Sequence, residues 1–156
     1  MEMEAVLQLG KIGALAALGL SAAGSALGTG AAAASAIGAW KKAYAQDKPA
    51  SFILFTFVGM PLSQTIYGMI LMFIMMNKAT LETASAFPQA LVGIGIFAGL
   101  AMGFSAWMQG RAAAGACHAM TDTGKGFTNY LMALGIVETV AIFVMVFAII
   151  VLGATV

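Results

Sequence analysis

One carboxylate, Glu138, stands alone within a long apolar run, twelve residues after Gly126 and fifteen before Gly153. A charged carboxylate at the centre of a membrane helix costs about 2.5–3.5 kcal/mol on insertion scales, and such residues usually line an ion or proton path. The competing explanation is a protonated or hydrogen-bonded glutamate with a structural role. Because no other acidic residue lies inside an apolar run, we interpret Glu138 as functional.

Two uncharged amides, Gln64 and Gln109, lie in other apolar runs. Ser63 and Tyr67 share one side of a helix with Gln64, since positions three and four apart are neighbours. Each polar residue alone could serve as a hydrogen bond between helices. Together with Glu138 they offer several oxygens and one compensating charge, which suits a small hard cation. A proton needs only the carboxyl group and one hydrogen-bond partner, so the surplus oxygens favour Na⁺ over H⁺.

Pro61 lies in the same run as Gln64, three residues before it. A proline has no backbone N–H, so the carbonyl of Phe57 loses its helical partner and the turn below Gln64 is distorted. Non-helical backbone at membrane depth is tolerated where it lines a site. A simple kink explains the proline at least as well.

The elements that hold these residues are predicted to be membrane helices. Of the 156 residues, 62% are hydrophobic and 8% are charged, against about 25% charged in a typical soluble domain. Thirteen charges cannot cover a water-facing surface, which excludes a soluble globular domain. The net charge of +1 excludes electrostatic binding of nucleic acid. A single cysteine, Cys117, excludes an intramolecular disulfide and a metal site built from several cysteines.

Long uncharged runs separate the charged residues, and a helix needs about 20 apolar residues to cross a membrane. We predict membrane helices over roughly 12–39, 50–76, 87–110 and 127–152. The runs are continuous rather than alternating, which argues against a β-barrel. The first and third connections hold five of the seven basic residues, which predicts both connections on the cytoplasmic side of the cell membrane. Both termini and the loop from Asn77 to Ala86 are then outside.

The predicted helices are of two kinds. In 12–39, eighteen of 28 residues are Gly or Ala, whereas in 51–76 only two of 26 are. The first helix also has the GxxxG spacing at Gly24 and Gly28, which allows close approach of backbones. Since small and bulky helices alternate twice, we predict thin helices on an inner circle and bulky ones on an outer circle facing lipid.

The two halves of the sequence align in both kinds of helix. In the small helices, residues 25–34 match residues 105–114 at an offset of 80, and in the bulky helices Gln64 matches Glu138 at an offset of 74. Because each unit holds two spans, both copies have the same orientation, which makes the repeat parallel rather than inverted.

The predicted fold is therefore an all-α membrane protein with four transmembrane helices, arranged as two tandem parallel hairpins over residues 1–80 and 81–156. With the stretches 61–68, 109–114 and 137–139, this pattern resembles the membrane-rotor subunit of V-type ATPases, the K subunit or proteolipid, in its four-helix bacterial form. The sodium-pumping members are the most similar.

The resemblance implies that an ion is bound by the carboxylate of Glu138, the amides of Gln64 and Gln109, the hydroxyl of Ser63 and the backbone carbonyl of Met60, with Tyr67 orienting the carboxylate. It also implies a closed ring of identical subunits in lipid, a stator subunit with a membrane arginine, and central-stalk subunits docked at the cytoplasmic loops. ATP hydrolysis then occurs on partner chains, and this chain is a non-catalytic subunit of the pump.

Three alternatives remain open at this point. The nearest is the same rotor carrying H⁺ in place of Na⁺. A more distant one is a four-helix antiporter that exchanges protons for a small molecule, which usually has its acid in the first helix and no parallel hairpin repeat. The last is an accessory bundle without transport, in which Glu138 has only a structural role.

Overall fold

The computed structural model describes residues 2–79 and 88–154, which form helices and short connections. The helices are α1 (Glu2–Ala45), α2 (Leu54–Gly59), α3 (Ser63–Lys78), α4 (Pro88–Thr123) and α5 (Phe127–Ala154), with a 3₁₀ turn at Met60–Leu62 between α2 and α3. The predicted boundary between residues 80 and 81 lies outside the described residues, as does most of the loop that contains it.

Four helical stretches of the described chain are long and apolar enough to cross a membrane: Glu4–Ala45, Leu54–Lys78, Gln89–Thr123 and Phe127–Ala154. The prediction of an all-α, four-span membrane protein is thus confirmed. The two Ala-rich spans were predicted too short. Hydropathy marks only the part of a helix that lies in lipid, whereas lysine and arginine favour a helix and allow it to continue into water. The second span begins at Leu54 rather than at residue 50.

The two helices rich in Gly and Ala, α1 and α4, pack side by side over most of their length. They are called the inner helices, after the inner circle on which they are predicted to lie. A methyl group built on Gly24 would fall on the backbone of Gly103, and one built on Gly110 would fall on the backbone of Gly28. Only glycine allows this separation, since any side chain would force the two backbones apart. Residue numbers rise together along both helices, so α1 and α4 run parallel.

The bulky helices lie on one side of this pair. On α3, Gly68 sits against the side chain of Ser21, and the turn that holds Pro61 packs against Gly28. The stretch from α2 to α3 therefore rests on α1 and also contacts α4. By contrast, α5 packs mainly against α4, with a smaller contact to α3.

An ion pair joins the ends of the two inner helices. The Nζ of Lys42 lies 2.6 Å from the Oδ1 of Asp122, and both side chains are exposed. Lys42 is near the end of α1 and Asp122 near the end of α4, so the connections that follow both helices lie at the same end of the molecule. This arrangement confirms the parallel hairpins. The side of the membrane on which these connections lie stays a prediction.

Candidate ion-binding site

The 3₁₀ turn presents the first group of oxygens. Pro61 cannot donate a backbone hydrogen bond, so the helix tightens for three residues and the N–H of Ser63 bonds to the carbonyl of Met60. The Ser63 hydroxyl donates to the same carbonyl, with an oxygen–oxygen distance of 3.0 Å. The distortion predicted at Pro61 is therefore present, and it brings a backbone carbonyl and a hydroxyl together immediately before Gln64.

Two buried amides form the inner part of the site. Gln64 and Gln109 are both fully buried, and the Nε2 of Gln64 donates to the Oε1 of Gln109 at 2.9 Å. The Nε2 of Gln109 donates to the carbonyl of Leu134 at 3.0 Å and lies 3.3 Å from the Oε2 of Glu138. Gln109 thus links α3 to α5, and its donors fix the direction in which its oxygen points.

Glu138 forms the outer part of the site, between α3 and α5. The Tyr67 hydroxyl donates to its Oε1 at 2.6 Å, a length typical of a hydrogen bond to a carboxylate. Glu138 and Tyr67 are half-buried, whereas the amides behind them are closed off from the surface. The carboxylate is therefore the member of the group that an arriving ion meets first.

Hydrogen bonds connect the predicted site residues into one group. The Ser63 hydroxyl lies 3.2 Å from the Oε1 of Gln64 and so continues the series from the Met60 carbonyl to the carboxylate. All six residues named from the sequence lie here: Met60, Ser63, Gln64, Tyr67, Gln109 and Glu138. An amide carbonyl oxygen has two lone pairs, so both glutamines retain the capacity to bind a cation. Their role as ligands stays a prediction.

The negative charge of the site has no cationic partner in the described part of the chain. Across residues 2–79 and 88–154, the single salt bridge is the surface pair of Lys42 and Asp122. A carboxylate away from water is stable only when it is paired, bound to a cation or protonated. The donor set of Glu138 therefore fits a monovalent cation or a proton supplied from outside the chain.

Sequence reasoning missed one residue that positions the site. The Ser105 hydroxyl donates to the carbonyl of Val137 at 2.9 Å and holds α5 against α4 directly beside Glu138. The sequence did offer a way to identify Ser105, because this serine matches Ser25 in the repeat. In the first half the hydroxyls of Ser25 and Thr29 are buried, and neither has a hydrogen-bond partner among the described residues. The two halves thus share a backbone plan and differ in their polar contacts.

Comparison with known proteins gives one family-model match, which lies within the second half of the chain. Residues 92–151 match the family model of the C subunit of ATP synthase. The match covers less than half of the chain and includes most of α4, most of α5 and Glu138. A comparison with curated proteins found no match. The second hairpin is therefore similar to the ATP synthase C subunit, a coarser assignment than the V-type sodium rotor that the sequence resembles.

Proposed function

We propose that this chain is a subunit of the membrane rotor ring of a V-type ATPase and carries Na⁺ across the membrane as the ring turns. The observation that carries the proposal is the half-buried carboxylate of Glu138 in one hydrogen-bonded group with the buried amides of Gln64 and Gln109. The match of residues 92–151 to the ATP synthase C subunit supports the rotor part of the proposal.

Binding begins with an ion that enters from one side of the membrane and reaches Glu138. The carboxylate neutralises the ion, and the oxygens of Ser63, Gln64 and Gln109 replace part of its hydration shell. Both amide oxygens lie within the hydrogen-bonded group. The Gln109 amide must turn for its oxygen to reach an ion beside Glu138, because its Nε2 faces the carboxylate. Tyr67 holds the second carboxylate oxygen and so keeps Glu138 turned toward the amides.

Rotation follows from the difference between an occupied and an empty site. An occupied site is neutral and can face lipid, whereas an empty site carries an unpaired charge and cannot. An arginine of the stator subunit pairs with Glu138 and displaces the ion toward the other side. Each monovalent ion moved against 100 mV costs about 2.3 kcal/mol, which ATP hydrolysis on partner chains supplies through the rotation.

The repeat determines how many ions each copy of the chain carries. Gln64 stands where the second hairpin has Glu138, so four helices share one carboxylate. A ring of such chains moves fewer ions in each rotation than a ring with one carboxylate per hairpin. A pump that moves fewer ions per ATP transports less for each ATP but can build a steeper ion gradient. This property favours ion pumping over ATP synthesis.

The connections at the Lys42–Asp122 end are the proposed docking surface for the central stalk. Lys41, Lys48 and Lys125 lie at or beside these connections. The excess of basic residues at this end supports the proposal that it faces the cytoplasm. Both chain termini then lie on the outer side. Acidic groups on the stalk would complement this surface.

The test is ATP-driven Na⁺ uptake into vesicles that contain the assembled pump. We expect Glu138→Gln to abolish uptake, because the neutral amide cannot compensate the charge of the ion. Glu4→Gln is the matched control, since it makes the same chemical change on an exposed residue of α1 and should leave uptake intact. Full Na⁺ uptake by Glu138→Gln would overturn the proposal in favour of an accessory bundle, and uptake of H⁺ without Na⁺ would overturn the choice of ion.

A further inference from the structure

Two hydroxyl groups of α1 are buried without a hydrogen-bond partner. The hydroxyl oxygens of Ser25 and Thr29 are closed off from the surface, and neither bonds to another atom of the described chain. Ser25 as a whole is only 1% exposed. Buried hydroxyls are nearly always bonded in native proteins, because burying one without a partner costs free energy. Two such groups one helical turn apart therefore point to a ligand that the chain itself does not supply.

Two contacts give the register between α1 and the second span. Gly68 of α3 lies against the side chain of Ser21, and a methyl group built on Gly28 would lie 3.1 Å from the Cβ of Pro61. A step of seven residues along α1 thus matches a step of seven residues back along the second span, as expected of antiparallel helices.

This register places both hydroxyls beside the turn that serves the ion site. Ser25 is level with Gln64, and Thr29 is level with Met60. Because Ser25 shares a helix face with Gly28 and Thr29, this face of α1 lies toward the 3₁₀ turn. The two hydroxyls are therefore on the α1 side of the turn that presents the Met60 carbonyl.

The second hairpin shows what the corresponding groups do against a regular helix. At the offset of 80, Ser25 corresponds to Ser105 and Thr29 corresponds to Gln109. Ser105 and Gln109 each donate to a backbone carbonyl of α5, at 2.9 and 3.0 Å. By the repeat, the hydroxyls of α1 are expected to serve backbone carbonyls of the second span.

Two differences prevent a direct bond in the first hairpin. Thr29 has a shorter side chain than Gln109, and Pro61 tightens the facing backbone into the 3₁₀ turn. Pro61 also has no N–H, so the carbonyl of Phe57 lacks its usual helical partner. Since a helical carbonyl points along the axis toward the next turn, this oxygen is directed toward the level of Thr29. Two donors and one acceptor thus lie close together without bonds between them.

A water molecule fits these three groups. Side chains four residues apart on a helix have Cβ atoms about 5–6 Å apart. Two O–H···O bonds of about 2.7–2.8 Å that meet at one oxygen span the same distance. A buried water typically makes about three hydrogen bonds. A cation would need a negative charge, and in this half the residue that corresponds to Glu138 is the neutral Gln64.

We propose that one buried water molecule binds between α1 and the 3₁₀ turn, held by the hydroxyls of Ser25 and Thr29 and the carbonyl of Phe57. The water takes the place that the Gln109 amide has in the second hairpin. It supports the turn from the α1 side and so holds the Met60 carbonyl toward the ion. Only this last step rests on the proposed function.

The sign of a stability change tests the water. Thr29→Val keeps the shape of the side chain and removes the hydroxyl, which leaves the water and the Phe57 carbonyl short of a partner. In the purified ring without Na⁺, the thermal midpoint should fall by about 2–4 °C or more. A hydroxyl that binds nothing predicts the opposite, because an apolar group is then preferred at a buried position. An equal or higher midpoint would overturn the proposal.

The matched controls keep the hydroxyl or remove one that bonds within its own helix. Thr29→Ser retains the donor and should keep a midpoint above that of Thr29→Val. The Thr121 hydroxyl donates to the carbonyl of Cys117 at 2.9 Å, so Thr121→Val should change the midpoint little. An equal fall in Thr121→Val, or no rescue by Thr29→Ser, would overturn the proposal.

A double substitution tests whether both hydroxyls hold the same water. If they do, Ser25→Ala should lower the midpoint less in the Thr29→Val chain than in the parent chain, because the water is already lost. Fully additive losses would overturn the shared water.

Na⁺ affinity, measured on the same variants, separates the water from the proposed function. Affinity should fall severalfold in Thr29→Val and be retained in Thr29→Ser and Thr121→Val. The predicted midpoints in a ring that binds no Na⁺ would leave the water in place and overturn the function. A parent ring that binds Na⁺, with a raised midpoint in Thr29→Val, would overturn the water alone.

Discussion

At the scale of single residues, the site combines one charged group with neutral oxygens on three helices. Glu138, Gln64 and Gln109 were predictable from the sequence because polar side chains in apolar runs are few and costly. The atoms that bond to one another were not predictable. The Gln64 nitrogen donates to Gln109, and the Gln109 nitrogen donates to the carbonyl of Leu134. These pairings depend on how α4 is rotated between α3 and α5.

Tyr67→Phe tests the residue that holds the carboxylate. The variant keeps the ring and removes the 2.6 Å hydrogen bond to Glu138. Hydrogen bonds to charged groups contribute about 1.5–3 kcal/mol, so we expect Na⁺ affinity to fall by about tenfold or more. Titration of the purified ring with Na⁺ measures the affinity.

Tyr130→Phe is the control for that substitution. Tyr130 packs against Phe57, with 6.1 Å between the ring centres. Among the described residues, the tyrosine that bonds to the carboxylate is Tyr67. Tyr130→Phe should leave Na⁺ affinity unchanged. Equal affinity in Tyr67→Phe and the parent chain would show that the tyrosine hydroxyl does not orient Glu138 for ion binding.

At the scale of helices, the sequence predicted the type and order of the elements better than their ends. Composition separated the small helices from the bulky ones, and in the structure the two small helices contact each other directly, with Gly24 against Gly103. Their place on an inner circle stays a prediction. The helix ends were misplaced because α1 and α4 continue beyond their apolar stretches. The 3₁₀ turn was foreseen as a distortion at Pro61, but its length and its bond to Ser63 depend on local geometry.

Pro61→Ala tests whether this turn serves the site. Alanine restores a backbone N–H and is about 3 kcal/mol more favourable than proline inside a helix. We expect the helix to become regular, the Met60 carbonyl to turn back into the helix, and Na⁺ affinity to fall while the thermal midpoint stays equal or rises. Parallel measurement of Na⁺ binding and thermal unfolding checks this. An unchanged Na⁺ affinity in a stable variant would show that the proline only kinks the helix and does not serve the site.

Gly24→Ala tests the contact between the inner helices. The added methyl group would fall on the backbone of Gly103, and such overpacking typically costs about 1–3 kcal/mol. Gly38→Ala is the control, because a methyl group there meets no other atom within 4 Å. Thermal unfolding of the purified protein should show a lower midpoint for Gly24→Ala and an equal or higher one for Gly38→Ala. Equal midpoints for the two variants would contradict the close contact.

At the scale of the whole molecule, the two hairpins have the same arrangement of helices but contribute different residues to the site. The second carries Glu138, and the first supplies Gln64, Ser63 and Tyr67 to the same site. The parallel repeat was readable from the two offsets in the sequence. The polar residues of both halves were predicted to share one site, and hydrogen bonds join them in one group. Which of their atoms meet could not be derived from spacing, because it depends on how α3, α4 and α5 pack.

The most direct test of the account is the protection of Glu138 from carbodiimide labelling. Carbodiimides react with a protonated carboxyl group, and a bound cation competes with that proton. In the assembled ring at neutral pH, Na⁺ should slow the labelling of Glu138, and the same concentration of K⁺ should not. Equal labelling rates in Na⁺ and K⁺ would contradict the sodium site.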